Sequence, residues 1–278
     1  MFRASLGYPT RAPHGGRSIL VGGLLIGIFW LGVGIGSLDV RLIPIALLGG
    51  IGWILVRGYY MGVLLSAIGW AEPIPPKFHG FGWLFECGIK QVLITLVYLG
   101  PPISLLAVIA GVAHTTSILR GSLVLQSGIG MVAVAALFFL LWAVYCVPLA
   151  LGTFVYSGSI RSALQVRQIS AQAFSEDYIV AWTIALGVQV FLVPLSYLLY
   201  PILIGIFLRV YLGMTVWYLY GRGITRSLDV TPADSYVRAR ETILIDDDSP
   251  SISSPDPDVI PVIRPLTDRN DVPSDSDS

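Results

Sequence analysis

An arginine set within an apolar run is the residue of this chain best placed to do chemistry. Arg209 lies near the middle of the stretch 201–220, where a charged side chain costs roughly 2.5 to 3.5 kcal/mol on insertion scales and so normally has a partner or a task. No Asp or Glu is expected in any apolar span to neutralise it. Two readings follow: an anion or lipid-phosphate contact, or a structural arginine satisfied by carbonyls, water or hydroxyls such as Thr215. The second candidate is Gly100-Pro101-Pro102, which interrupts a long apolar run. Proline removes a backbone donor and breaks or kinks a helix, and broken helices line binding cavities in many transporters. Ser104 and Thr95 are the neighbouring hydroxyls, serving either a broken-helix site or a kink satisfied by adjacent helices.

Other chemistry finds no support. His14, His79 and His114 fall in three separate polar regions, and Cys87 and Cys146 stand alone, so no metal-ligand or disulfide pattern emerges. There is no HExxH, no Walker lysine after a glycine loop and no GxSxG. Gly32-Val-Gly34-Ile-Gly36 ends an apolar helix instead of following a strand, so it is not a dinucleotide loop. The sequence therefore implies no cofactor and no catalytic residue, and the expectation is a protein that is not an enzyme.

The elements that must position these residues are long and apolar. Hydrophobic residues make up 55% of the 278 and charged ones 12%, which excludes an ordinary soluble domain, where about a quarter of residues are charged. Six spans of about the 20 residues that cross a bilayer are expected at 18–36, 42–60, 90–112, 128–152, 178–199 and 201–220. The last two are separated only by Tyr200-Pro201. The first follows Arg3, Arg11 and Arg17 but has no small-residue cleavage site, which makes it a retained helix. Gly23/Gly27 and Gly58/Gly62 have the spacing that lets membrane helices approach closely, here expected within the bundle. The fold class is thus all-α, a polytopic transmembrane bundle of about six spans.

Charge divides the chain at residue 228. Residues 1–228 hold 13 Lys/Arg against 5 Asp/Glu, and residues 229–278 hold 4 against 12. The first part is the membrane domain. The second, rich in Ser, Asp and Pro, lacks core formers and is expected to be a disordered tail, with Val259–Arg264 its one apolar patch. Orientation follows from where the cations fall, since Lys and Arg near span ends stay in the cytoplasm. Arg57, Lys77, Lys90, Arg161, Arg167, Arg222 and Arg226 join the N-terminal arginines on one side, and only Arg41 and Arg120 lie on the other. Trp83, Trp182 and Trp217 are expected at inner interfaces. Both termini are then cytoplasmic, the location is the cell membrane, and anionic head groups are the natural lipid partner. Nucleic acid is not an expected partner.

Two inner segments carry the recognisable texture. The first, about 60–89, contains Glu72-Pro-Ile-Pro-Pro-Lys77-Phe-His-Gly80-Phe-Gly-Trp83, whose prolines oppose helix. The second, Ser159 to Phe174, spaces Ile160, Ala163, Leu164, Ile169 and Ala173 as an amphipathic interfacial helix. Ser175 then stands as an N-cap before Glu176 and Asp177. The run Arg57-Gly-Tyr-Tyr, the Pro-Pro loop, Gly82-Trp-Leu-Phe-Glu-Cys-Gly-Ile-Lys90 and Phe174-Ser-Glu-Asp-Tyr-Ile-Val-Ala-Trp182 together resemble the DUF4013 family of uncharacterised archaeal membrane proteins. The resemblance extends from about Ser5 to Arg226, including Gly7-Tyr-Pro-Thr-Arg11 and Tyr220-Gly-Arg-Gly223. It implies a membrane protein of archaeal, haloarchaeal-like origin and no assigned activity; Lys77-Phe-His79 stands where the family pattern implies carboxylates. The functional expectation is an accessory or scaffolding role, with the cytoplasmic loops and tail as its protein-binding surface. The alternative is a small-solute, anion or lipid transporter built on Arg209 and the Gly100-Pro101-Pro102 break.

Overall fold

A computed structural model describes residues 2–36, 41, 43–69, 73–118 and 123–227. Among these the secondary structure is helical throughout, with no strand. The helices are α1 (Phe2–Gly7), α2 (Gly15–Gly36), α3 (Ile43–Gly69), α4 (Phe81–Ile118), α5 (Leu123–Ser157), α6 (Ile160–Ala163), α7 (Val166–Ala173), α8 (Glu176–Gly187), α9 (Val193–Leu198) and α10 (Ile204–Ser227). A π-helical turn, Val188–Leu192, joins α8 to α9 in one run. Six of these helical runs are long and apolar enough to cross a membrane. The chain divides into Met1–Leu244, which holds every described residue, and Ile245–Ser278; the acidic tail from 229, and the disorder expected of it, lie outside the described residues.

The expected span between 42 and 60 is too short. Beyond Tyr60 the run Met61–Ile68 is apolar and free of breakers other than Gly62, so α3 continues to Gly69. Likewise α4 begins at Phe81, and only the Pro-rich segment is left as loop. Glu86 therefore lies within a spanning helix, where it pairs with Lys90 one turn on. Between α9 and α10 the chain does turn back at Tyr200-Pro201, through a short 3-10 turn closed by Leu203 at φ 63.

Two helices occupy the centre. The apolar windows of α3 and α10 are the most enclosed, while that of α4 is covered along only a small part of its length. These central helices run parallel: Tyr60 lies against Gly213, and Thr225 Oγ1 donates to the Ala67 and Ile68 carbonyls at 3.3 and 3.2 Å. At the same end, Tyr8 of the N-terminal segment stacks on Tyr218 (4.6 Å between centroids) and shares a 2.8 Å hydrogen bond with Ser66. Burial raises the Tyr8 phenol above its ordinary pKa, against the lowering effect of that bond. The Pro-rich loop is fastened beside it: the Pro75 carbonyl bonds His14 at 2.8 Å, and the Pro76 carbonyl accepts from Tyr59 at 3.2 Å. Phe78 stacks on Tyr59, so this aromatic packs inward and is not left free at the surface.

The segment expected as one interfacial helix is two short ones, broken at Leu164–Gln165. The last carbonyls of a helix have no partner within it, and tyrosines supply the donors here. Tyr98 bonds the Ala163 carbonyl at 2.7 Å and Tyr145 bonds that of Ala173. Ser175 has the extended backbone of an N-cap, but its side chain makes no capping hydrogen bond, leaving Glu176 and Asp177 to face the helix start.

Glycine sets the α3–α4 contact. A Cβ on Gly58 would overlap the Leu84 carbonyl, and one on Gly88 would overlap the Ile54 carbonyl, so the backbones meet at a reciprocal pair. Gly58→Ala and Gly88→Ala should each lower the melting temperature by several degrees, as overpacking typically costs about 1–3 kcal/mol. Gly111→Ala, where a Cβ meets nothing within 4 Å, should leave it unchanged or slightly raised. Equal melting temperatures for all three variants would contradict this packing.

Candidate functional site

The register of α3 against α10 places two arginines side by side. Tyr60 touches Gly213, so stepping back three residues on one helix and four on the other brings Arg57 level with Arg209. Arg57 is 14 residues into the 27-residue α3, near its midpoint. It is not at an inner end, as its place in the cation tally implied, and the other cations still preserve that asymmetry. Both arginines line one partly open cavity of about 400 Å³ bordered by α2, α3, α4, α5, α10 and the α8–α9 run.

The walls are aromatic and amphipathic. Trp217, which the sequence placed at an interface, is buried at 9% exposure and lies 6.5 Å from the Tyr60 ring. The Arg57 guanidinium sits 4.8 Å from the Trp53 ring centroid, a cation–π contact one turn apart. Gln189 enters from the π-helical turn and donates to Tyr220 Oη at 2.7 Å. That turn precedes Pro194, whose missing N–H disturbs the regular ladder, and π-turns of this kind recur at functional sites. Tyr200 closes one side from the α9–α10 turn. Burial raises its pKa, Tyr197 adds to the rise, and the Arg209 charge opposes it.

Among the described residues no acid lines this cavity. Among the described residues neither arginine makes an ion pair or a hydrogen bond. Thr215 bonds the Tyr211 carbonyl of its own helix at 3.0 Å and is not a partner of Arg209. Two like charges in one aromatic-lined space, with no counter-charge among the described residues, form an unbalanced electrostatic site, whose natural complement is an anion.

α4 runs through Pro101 and Pro102 without a break, because neighbouring turns carry the helix past the missing donors. Pro101 and Ser104 are exposed, and Ser104 Oγ bonds the Pro101 carbonyl at 2.9 Å. Gly100 lines a second, smaller cavity of about 290 Å³, which shares Trp53, Arg57, Thr95 and Leu99 with the first. Of the sequence candidates, then, Arg209 and Thr95 reach the central cavity, Gly100 reaches its annex, and Ser104 reaches neither. No group of three metal-ligating side chains occurs among the described residues.

The family model described as "Protein of unknown function (DUF4013)" matches residues 41–208. The chain belongs to the DUF4013 family. No curated protein and no solved structure matches it. The match covers α3 through the start of α10, so Arg57 lies inside it and Arg209 one residue beyond. The opening Gly7–Arg11 and closing Tyr220–Gly223 motifs fall outside the match, although the fold brings Tyr8 onto Tyr218.

Arg57 was hidden by the apparent end of a span at Tyr60. The signal that exposes it is the apolar run on both sides, Ile43–Val56 and Gly58–Ile68. Two cations that repel each other in this DUF4013 cavity make a direct prediction for ligand-free, delipidated protein. Arg57→Gln or Arg209→Gln should keep or raise its melting temperature by a few degrees, since either removes one uncompensated charge. A fall of more than about 5 °C in both, roughly 1 kcal/mol or more, would mean the arginines hold the fold together.

Proposed function

We propose that this DUF4013 protein binds an anion within the membrane between Arg57 and Arg209, as a carrier of small anions or anionic lipids and without catalysing a reaction on them. The observation that carries this reading is the presence of Arg57 and Arg209 together in a cavity that no carboxylate lines among the described residues. The surrounding Tyr60, Gln189, Tyr197, Tyr200 and Tyr220 add hydroxyl and amide groups suited to oxyanions. The cavity falls within the size range of small-ligand sites.

The test is thermal unfolding of the full chain in uncharged detergent with graded inorganic phosphate or sulfate, and with chloride at matched ionic strength. A ligand at about 100 times its Kd adds roughly 2.7 kcal/mol, so phosphate should raise the melting temperature by several degrees in the native chain and not in Arg57→Gln or Arg209→Gln. A shift that is absent, or unchanged in both variants, refutes the anion reading. The accessory role through loops and tail would then lead, supported by the Pro-rich loop that His14 and Tyr59 hold in one fixed conformation. Partner capture that requires residues 229–278 would be its measurement.

We further infer that both termini face the cytoplasm, which the excess of Lys and Arg on that side supports. Cys87 and Cys146 are buried and give no topological readout of their own. Lys77→Cys, at an exposed position of the Pro-rich loop, should resist an impermeant maleimide added to intact cells and react in inside-out vesicles. Arg41→Cys should do the reverse, and the opposite pattern inverts the topology.

A further inference from the structure

We propose that the anion held by Arg57 and Arg209 is the phosphomonoester head of a membrane lipid, which enters sideways through the groove between α3 and α4 that passes Gly100. This rests on the anion-binding reading above. The annex cavity and the central cavity share four lining residues, Trp53, Arg57, Thr95 and Leu99. Arg57 therefore borders both spaces, and whatever fills the annex lies against that residue.

The annex is a passage for hydrocarbon. Its α4 wall is the stripe Val92, Leu96, Leu99, Gly100 and Ile103. Leu96 and Ile103 are 63% and 52% exposed on the flank of a spanning helix, where lipid is the solvent. A hydrated free anion gains nothing by crossing that rim, whereas an acyl chain lies in it without leaving an apolar medium. A Cβ added at Gly100 meets nothing within 4 Å, so this stretch of the wall borders open space that a large side chain would enter.

A polar group stands inside this apolar groove. Gln91 is 2% exposed, lines the annex, and its Oε1 has no hydrogen-bond partner. A buried polar atom left unpaired costs about 1–3 kcal/mol. An amide that can present either its oxygen or its NH₂ would meet the hydroxyl or ester oxygens of a glycerol backbone lying between the phosphate and its chains. Two fixed cations match a phosphomonoester, which carries between one and two negative charges, better than a singly charged carboxylate or phosphodiester.

Dioctanoyl phosphatidic acid and inorganic phosphate, each titrated against the purified full chain in uncharged detergent, separate the two sources of phosphate. The native chain should bind both. Gly100→Phe should weaken the lipid at least tenfold while leaving inorganic phosphate unchanged, and Arg57→Gln should lose both. Gln91→Leu provides a second variant that leaves the groove open: it too should weaken the lipid selectively, and it stands in if Gly100→Phe does not fold. Unchanged lipid affinity in the groove variants, or binding of inorganic phosphate without the lipid, overturns the lateral lipid route and leaves the anion reading intact. Failure of both ligands to bind the native chain overturns both.

Discussion

The parallel contact of α3 with α10 is the constraint on which the rest of the molecule depends. Gly213 gives up a side chain so that the Tyr60 ring can lie on its backbone, and Thr225 ties the same pair nearer their C-terminal ends. Because both helices run in one direction, their registers stay locked over several turns. Arg57 and Arg209 become neighbours as a consequence of packing, and no bond between them is needed. Every other element is added to this pair: α2 against its open side, the N-terminal segment at its base, and α4 and α5 around the cavity it creates.

Such a site runs against the usual economy of membrane interiors. Cations there are normally matched by acids or moved to an interface by long, flexible stems. Here α3 fixes Arg57 near its midpoint, and Trp53 takes one face of the guanidinium. The aromatic lining supplies partial negative charge from ring faces and hydroxyls, which softens the repulsion without neutralising it. The resulting field between the two arginines is positive.

Much of the architecture was legible in the amino-acid sequence because hydrophobicity over 20 residues is a strong, local signal. The six spans and the turn at Tyr200-Pro201 follow from it. Helix ends were less legible: nothing in Gly58-Tyr59-Tyr60 announces that α3 continues nine residues to Gly69. Arg57 was misplaced for that reason alone. The double proline left two readings open, a break or a kink within one helix, because sequence alone does not show whether neighbouring groups satisfy the freed carbonyls. Arg209 stood out because a single charge in an apolar run needs no tertiary information to notice. Its neighbour could be named only once the helix register was known, and Gln91 only once its burial was.

The length of α4 has a mechanical consequence. Its 38 residues measure about 57 Å at 1.5 Å per residue, nearly twice a hydrocarbon layer of about 30 Å. A rod of that length lies steeply inclined in the bilayer or stands beyond it, and its inclination follows the thickness of the surrounding membrane. The Gly58–Gly88 contact is its natural fulcrum, and Gly100 lies twelve residues, about 18 Å, along the arm from Gly88. A change of inclination of only about 5° displaces Gly100 by about 1.6 Å on that arm, comparable to one carbon–carbon bond. For the lipid route proposed above, such a displacement would alter the width of the groove beside Gly100.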